Sequence, residues 1–209
     1  MSRWLPVGIA TAILLVGALA AAVMLRPRTV EPTSQPPSPY RGSIPPRGIH
    51  AADLEVHDYR GAIVRMQTLR GRVAVVSFVD SKCTEKCPIA MAVIARALRQ
   101  LPADTRREVV ALLITVDPEV DTPQNVERFL EARRARGLHY LTGSVSALRP
   151  VWKAYGILPA IGTRNPDFHS SDVRIFNRDG IWVSTQHAGV DLTARNLDHD
   201  ISVALRATA

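Results

Sequence analysis

The sequence predicts a three-layer α/β domain with a mixed central β-sheet, preceded by an N-terminal transmembrane or signal helix. Strand-like and helix-like segments alternate from about Ile49 to the end of the chain. Such alternation places helices on both faces of a sheet, and a hairpin near the end of the chain makes that sheet mixed. The preceding helix is indicated by a long uncharged run close to the amino terminus.

Composition supports a globular domain and excludes several other classes. The chain has 209 residues, of which 46% are hydrophobic and 22% are charged, so it is not disordered throughout. Its 26 Lys and Arg residues outnumber 19 Asp and Glu residues and give a net charge of +7, but they form no dense basic stripe of the kind that binds nucleic acid. Two cysteines are too few for a disulfide-stapled mini-domain or a four-cysteine zinc site.

The uncharged run extends over Trp4–Leu25. At about 1.5 Å per residue, a helix of this length spans roughly 30 Å, the thickness of a bilayer core. This length favours an uncleaved single-pass anchor in residues 1–26, although Ala18–Ala20 could serve as the cleavage site of a secretory signal. Either route puts the main domain outside the cytoplasm. We therefore expect a protein of the inner (cytoplasmic) membrane with a periplasmic C-terminal domain.

Residues 27–46 are typical of an extended linker, because Pro, Ser and Thr dominate and almost nothing apolar is available for a core. We expect this segment to act as a semi-rigid spacer. It would hold the folded domain, residues 47–209, away from the membrane.

Two continuous apolar runs rich in β-branched residues predict the central strands of the sheet. They are Val73–Val79 and Val109–Val116. A helix is expected after each of them, over Pro88–Leu101 and from Thr122 to Gly137, because apolar residues recur there with helical spacing. A proline near the start of each helix suits the first turn, where a missing N–H breaks no hydrogen bond.

The rest of the domain is expected to contain a short strand, a third helix, a hairpin and a last helix. The short strand is Leu138–Leu141, and apolar residues three and four apart predict the third helix over Leu148–Tyr155, despite Pro150. We expect Asp191 to cap the last helix. The hairpin strands flank a turn of Asn, Arg, Asp and Gly. These strands are Val173–Phe176 and Ile181–Thr185.

The two cysteines, Cys83 and Cys87, lie between the first central strand and its helix. The positive end of a helix favours a thiolate, and Lys82 and Lys86 act in the same direction. A thiolate is both the nucleophile of disulfide exchange and a soft metal ligand suited to Cu(I). A small inert disulfide, or two buried thiols, is the structural alternative. The pair itself leaves metal binding, thiol exchange and a structural role open.

Several motifs in sequence order resemble the Sco/SenC family of copper-binding assembly proteins, whose fold is thioredoxin-like. The resemblance extends from about Tyr40 to the end of the chain. Each motif alone is weak, but their order and separation together are specific. The motifs are Tyr40-Arg41-Gly42, Leu69–Val73, Cys83…Cys87-Pro88, Asp117–Pro123, Leu141–Ser144 and Phe168–Ser171.

The resemblance implies that Cys83, Cys87 and His169 bind copper, as Cu(I) or Cu(II). An imidazole suits both oxidation states and would add a third ligand to two thiolates. His169 is far from the cysteines along the chain, so only the fold can bring it near them. The family's function implies a membrane-anchored metallochaperone that delivers copper to cytochrome c oxidase. Its partner would be the copper-site subunit of that oxidase or another copper or thiol protein.

Other candidate ligands receive simpler interpretations. Asp117 and Asp121 could bind a hard metal, but we expect Asp117 to end a strand and Asp121 or Thr122 to cap the next helix. Their segment lies close to the site in the family, which leaves an indirect role open. The remaining histidines match no ligand position and are expected to be surface or hydrogen-bonded residues. They are His50, His57, His139, His187 and His199.

The alternative function is that of an enzyme, a thiol–disulfide oxidoreductase. Cys83, the loop cysteine that we expect to be more exposed, would attack a partner disulfide, and Cys87 would resolve the mixed disulfide. Disulfide exchange does not need His169, whereas the proposed copper site does. Three residues separate the cysteines, instead of the two of thioredoxin-type enzymes, which favours the metallochaperone over a fast general reductase.

Overall fold

A mixed β-sheet forms the centre of the protein. The computed structural model describes residues 37–163 and 171–207, which belong to a unit that starts at Pro37. The strands are β1 (Glu55–Asp58), β2 (Ile63–Arg65), β3 (Val73–Val79), β4 (Val109–Thr115), β5 (His139–Thr142), β6 (Val173–Phe176) and β7 (Trp182–Gln186). In these parts of the chain they form one seven-stranded sheet in the order β2-β1-β5-β4-β3-β6-β7.

The direction of the strands determines where the cysteine loop lies. β3, β4 and β5 run parallel, whereas β1, β2, β6 and β7 pair antiparallel with their neighbours. β3 and β4 are in register from Val73 opposite Val109 to Val79 opposite Thr115. The C-terminal ends of these two central strands therefore meet at one edge of the sheet, and the loops that follow them are neighbours.

Helices cover both faces of the sheet. They are α1 (Lys86–Gln100), α2 (Ala103–Arg107), α3 (Pro123–Glu131), α4 (Val145–Tyr155) and α5 (Ala194–Arg206), and a 3-10 turn spans Met66–Leu69. α1, α3 and α5 bury apolar side chains in one core, while α4 packs in a second core on the other face. The described chain is thus the three-layer α/β domain with a mixed sheet that the sequence predicts.

Alternate residues of β3 face the two cores. Val73, Val75 and Val79 belong to the core beneath α1, α3 and α5, whereas Val76 and Phe78 belong to the core beneath α4. Every residue of β3 is buried, because helices lie on both faces of the strand. This double burial explains why both central strands are continuous apolar runs instead of alternating ones.

Several predicted elements are confirmed. β3 has the predicted bounds, β4 ends one residue before the predicted Val116, and β6 and β7 form the predicted antiparallel hairpin. The sequence did not indicate the β1–β2 hairpin or α2. These elements are short, and α2 buries none of its side chains, so neither has the apolar periodicity that identifies longer elements.

The helix that follows β4 is shorter than predicted. α3 ends at Glu131, whereas the sequence predicts an end at Gly137. Arg134 has a φ of 52°, in the left-handed region, so the chain leaves the helix before the glycine. The N–H of Ala135 then donates to the carbonyl oxygen of Leu130 at 2.9 Å and satisfies an acceptor at the helix end.

The cap of the last helix differs from the prediction. Thr193 precedes α5, and its hydroxyl accepts the N–H of Asn196 at 3.1 Å. The prediction that Asp191 caps this helix is therefore wrong. Its carboxylate accepts the N–H of His187 at 2.5 Å and closes the loop that precedes the helix.

α4 continues through Pro150, which lies beyond its first turn. Ser144 caps this helix by accepting the N–H of Ala147 at 3.2 Å. Leu148 and Trp152 are buried on its inner face. The free energy gained by burying this apolar face offsets the cost of the helix hydrogen bond that a proline cannot donate.

Residues 40–43, within the predicted linker, pack against the domain. The fully buried carboxylate of Asp200 in α5 accepts the N–H groups of Arg41 at 2.7 Å and Gly42 at 3.0 Å. Ser43 forms an antiparallel bridge with Thr185 of β7. The folded unit therefore takes in residues that composition alone places in the linker.

The predicted anchor, residues 1–26, lies outside the described residues. Within residues 37–163 and 171–207, no helix is long and apolar enough to cross a membrane. The anchor therefore stays a prediction.

Candidate functional site

The two cysteines meet at the C-terminal end of β3. Cys83 lies in the loop between β3 and α1, and Cys87 lies in the first turn of α1. The N–H of Cys87 donates to Sγ of Cys83 at 3.3 Å, and no disulfide joins the two described cysteines. The side chains are 2% and 0% exposed, respectively. Both cysteines are therefore buried, with Cys83 only slightly the more exposed of the two, and its role as the attacking thiol stays a prediction.

Hydrogen bonds hold the thiol loop, residues 80–85, in one conformation. The carbonyl oxygen of Asp80 accepts the N–H of Cys83 at 3.1 Å, and its side chain accepts the N–H of Lys82 at 2.7 Å. The N–H of Ser81 donates to the carboxylate of Asp121 at 2.9 Å. Asp121, in the loop between β4 and α3, therefore helps to hold the thiol loop in place.

Asp121 is the centre of a buried polar cluster behind the thiol loop. Besides Ser81, its carboxylate accepts the hydroxyl groups of Thr115 at 2.5 Å and Tyr140 at 2.6 Å. Burial raises the pKa of Asp121, while these hydrogen bonds act in the opposite direction. Asp121 therefore neither caps α3 nor binds a metal in this arrangement; Thr122 supplies the cap. Sequence reasoning missed this role because its three partners come from separate segments.

Asp117 has the structural role expected from the sequence. It follows β4, and its carboxylate accepts the N–H of Glu119 at 3.2 Å. Its carbonyl oxygen accepts the N–H of Asp121 at 3.2 Å. These contacts shape the turn that carries Asp121 towards the thiol loop, so the effect of Asp117 on the thiols is indirect.

The chain is described again from Ser171, two residues after the predicted ligand His169, and Ser171 lies next to Cys87. Ser171, which precedes β6, places its hydroxyl oxygen 3.7 Å from Sγ of Cys87, and both side chains are buried. His169 lies outside the described residues. The fold therefore brings Ser171, the last residue of the Phe168–Ser171 motif, to Cys87, while the ligand role of His169 stays a prediction.

The electrostatic environment of the thiols differs from the expected one. The hydrogen bond with Cys83 and burial raise the pKa of the Cys87 thiol well above its ordinary value, because a buried thiolate loses hydration. The exposed side chains of Lys82 and Lys86 do not reverse this direction. A positive group is also present in this region: burial lowers the pKa of Arg133, and the two cysteines act in the opposite direction.

Other potential ligands do not converge in the described part of the chain. No group of three His, Cys, Asp or Glu side chains could hold a metal within residues 37–163 and 171–207. Four of the remaining histidines have other neighbours: His50 contacts Gly48, His139 contacts Asp58, His187 contacts Asp172, and His199 contacts Pro39. Two soft sulfur donors are suited to a copper ion, and a third donor would have to join them from beyond these residues.

The mixed sheet flanked by helices, with two thiols where the central strand meets a helix, has the architecture of the class of thioredoxin-like proteins. Within this class, the sequence model of SCO1/SenC matches residues 45–201, and the chain belongs to this family. The family that the motifs indicate is thereby confirmed.

Individual relatives agree with the family in sequence and fold. A Stutzerimonas stutzeri protein named as copper-binding is 34% identical over 140 residues, which cover 65% of this chain and 68% of the relative. Bradyrhizobium japonicum ScoI, solved with copper bound, has a TM-score of 0.63 at 24% identity, covering 75% of this chain and 99% of ScoI. BsSco, described as a member of the Sco family of cytochrome c oxidase assembly proteins, has a TM-score of 0.66 at 19% identity, covering 79% and 99%. These likenesses confirm the thioredoxin-like fold.

Proposed function

We propose that this protein is a copper metallochaperone that binds one copper ion through Cys83, Cys87 and His169. The main support for this proposal is that the thiol loop, the first turn of α1 and the segment before β6 meet at the two cysteines. Sγ of Cys83 accepts the N–H of Cys87 at 3.3 Å, and Sγ of Cys87 lies 3.7 Å from the hydroxyl oxygen of Ser171. Two residues of chain span at most about 7 Å. The imidazole of His169 can therefore reach the thiol pair from Ser171.

The chemistry of the donors supports copper as the cargo. Thiolates are soft ligands that favour Cu(I), and imidazole binds both oxidation states of copper. The bound metal would favour loss of the thiol protons, which burial opposes in the free pair. A low number of ligands would also let a partner replace the thiolates one at a time. The relatives named or solved as copper-binding proteins support the same assignment.

The proposed destination of the copper is the copper site of cytochrome c oxidase. The support is the family membership of the chain and the description of BsSco as belonging to the cytochrome c oxidase assembly proteins. The uncharged run Trp4–Leu25 would anchor the protein in the inner membrane, with the domain on the periplasmic side. Alkaline extraction of membranes tests the anchor: the full chain should stay in the pellet, and release of intact full-length chain would contradict it.

A Cu(I) titration against a competing chelator tests the ligand set. The domain from Pro37 onward would be reduced and kept without oxygen, and native protein would be compared with His169→Ala and Cys83→Ser. We expect one tightly bound Cu(I) per native chain and at least a tenfold weaker affinity for each variant, which corresponds to about 1.4 kcal/mol. His57→Ala is the matched control, because His57 is exposed on β1. Unchanged affinity of His169→Ala would contradict the three-ligand site.

The second candidate is a thiol–disulfide oxidoreductase, and the contact between the two cysteines, Cys83 and Cys87, favours it. In that reaction one thiolate attacks the partner disulfide, and the other displaces it to leave a Cys83–Cys87 disulfide and a reduced partner. The burial of both sulfur atoms opposes rapid attack on a large substrate. Fast reduction of a model disulfide by native protein, together with no competitive Cu(I) binding, would favour this function over the metallochaperone.

A further inference from the structure

A positively charged cavity lies beside the thiol loop. It has a volume of about 270 Å³, and the described residues that line it are Ser81, Lys82, Asn125, Arg128, Phe129 and Arg133. We call it the basic pocket. Three of these six side chains are cationic and none is acidic. In the described part of the chain, Lys82, Arg128 and Arg133 form no ion pair with a carboxylate.

Two arginines of the basic pocket are held in place. The guanidinium of Arg133 donates to the carbonyl oxygen of Phe129 at 3.0 Å and lies 4.1 Å from the centre of its ring. Arg128 donates to the side-chain oxygen of Asn125 at 2.6 Å. Within the described residues, the buried Nε of Arg133 has no hydrogen-bond partner. These groups are therefore ordered before any ligand binds, which lowers the entropic cost of binding.

The basic pocket adjoins the thiols. Lys82 precedes Cys83 directly, and Phe129, whose ring lies 4.1 Å from the Arg133 guanidinium, belongs to the same buried core as Cys83 and Cys87. Three cations that share one small cavity repel each other unless an anion lies between them. Guanidinium groups bind carboxylates strongly because they donate paired hydrogen bonds to both oxygen atoms. The basic pocket is therefore suited to a carboxylate presented next to the cysteine pair.

We propose that the basic pocket binds acidic side chains of the partner protein that exchanges copper with Cys83 and Cys87. This inference rests on the proposed function and adds a partner chemistry to it. The anchored carboxylates would orient the partner so that its own soft ligands face the thiol pair. During delivery a partner–copper bond forms as a sulfur–copper bond breaks, the partner's ligand gives its proton to solvent, and the released thiolate takes one up. Loading reverses these steps, and the oxidation state of the copper is unchanged in both directions.

Two copper(I) complexes of opposite charge serve as probes for the exchange rate. Bis(bathocuproine disulfonate)copper(I) is an anion, whereas bis(neocuproine)copper(I) is a cation with the same type of chelating ring. Arg128→Glu should slow copper transfer from the anionic complex by about three- to tenfold at low salt and leave transfer from the cationic complex unchanged or faster. High salt should remove the difference, because it screens charges beyond a few ångströms.

Arg106→Glu is the matched control, because Arg106 is exposed and lies in α2, before β4 and hence at the opposite end of the sheet. It changes the net charge by the same amount as Arg128→Glu. If both variants slow copper transfer from the anionic complex equally, the effect is due to net charge and not to the basic pocket. That result would overturn the proposal. An unchanged rate for Arg128→Glu would overturn it as well.

A metal-free measurement separates this inference from the copper site. Copper-free bathocuproine disulfonate, added to the apoprotein, should shift the amide signals of Ser81, Lys82 and Phe129, and Arg128→Glu should abolish these shifts. Shifts that persist in the variant, or their absence in native protein, would contradict anion binding in the basic pocket. If native protein binds no Cu(I) but shows the shifts, the proposed function fails while the anion site stands.

Discussion

Asp121 positions the cysteines without touching them. Its carboxylate accepts hydrogen bonds from Ser81 in the thiol loop, Thr115 at the end of β4 and Tyr140 in β5. Removing an acceptor from a buried cluster leaves its donors without a partner, which costs more than the bond itself contributes. Asp121 is therefore a positioning residue for the thiol pair, not a ligand.

We predict that Asp121→Asn lowers the free energy of unfolding by about 1–3 kcal/mol, because an amide cannot accept from three donors and brings two new N–H groups. Urea denaturation measures this change. The variant should also show a weaker Cu(I) affinity, since the thiol loop loses a fixed contact. Equal stability of the native protein and the variant at neutral pH would contradict the role assigned to the cluster.

The pH dependence of the same variant gives a second readout. Burial raises the pKa of Asp121 above 3.8, so the folded state holds this proton more tightly than the unfolded state. The stability that this carboxyl contributes is therefore fully present in acid and is lost as pH rises through the folded-state pKa. The stability difference between native protein and Asp121→Asn should be larger near pH 4 than near pH 7.

At the level of single elements, threonine caps determine where two helices begin. Thr122 precedes α3 and Thr193 precedes α5, and each hydroxyl accepts the N–H three residues later. Nearby aspartates at 121 and 191 are equally good caps in isolation. They are already used elsewhere, Asp121 beneath the thiol loop and Asp191 by the N–H of His187.

We predict that Thr193→Ala lowers the free energy of unfolding by about 1 kcal/mol, because the N–H of Asn196 loses its acceptor. Thr193→Ser keeps a hydroxyl at the same position and should cost much less. Thermal or urea unfolding of both variants checks the result. Equal losses for Ala and Ser would indicate that the methyl group of Thr193, and not its hydroxyl, stabilises the helix start.

For the whole molecule, a buried carboxylate joins the beginning of the folded unit to its end. Asp200 of α5 accepts hydrogen bonds from Arg41 and Gly42, and also from Ser184 at 2.6 Å and Gln186 at 2.9 Å in β7. This contact accounts for the Tyr40-Arg41-Gly42 motif. At position 42 the backbone lies so close to β7 that no side chain larger than that of glycine fits.

We predict that Gly42→Ala destabilises the protein by about 1–3 kcal/mol through overpacking. A Cβ atom at this position would lie 2.4 Å from Oγ of Ser184 and 2.5 Å from the carbonyl oxygen of Thr185. Gly137→Ala is the control, because nothing lies within 4 Å of its added Cβ and its φ is not positive. Urea unfolding compares the two; a Gly42→Ala variant as stable as the Gly137→Ala control would contradict the close packing.

Sequence alone determined the elements and motifs that depend on local pattern. Continuous apolar runs identified β3 and β4, the Asn-Arg-Asp-Gly turn identified the β6–β7 hairpin, and the order of motifs identified the family. Periodicity is a property of neighbouring residues, so it can be read without knowing the fold. The pairing of Cys83 with Cys87 was also predictable, because only three residues separate them along the chain.

The tertiary structure decided which polar groups meet. It buried both cysteines, placed Ser171 against Cys87, gave Asp121 and Asp200 their donors, and set the guanidinium of Arg133 against the ring of Phe129. Residues far apart along the chain form most of these contacts, and a side chain's partners do not follow from its own neighbours in sequence. Because a buried polar group must find its partner wherever the packed elements provide one, these roles emerge only when the sheet and helices have assembled.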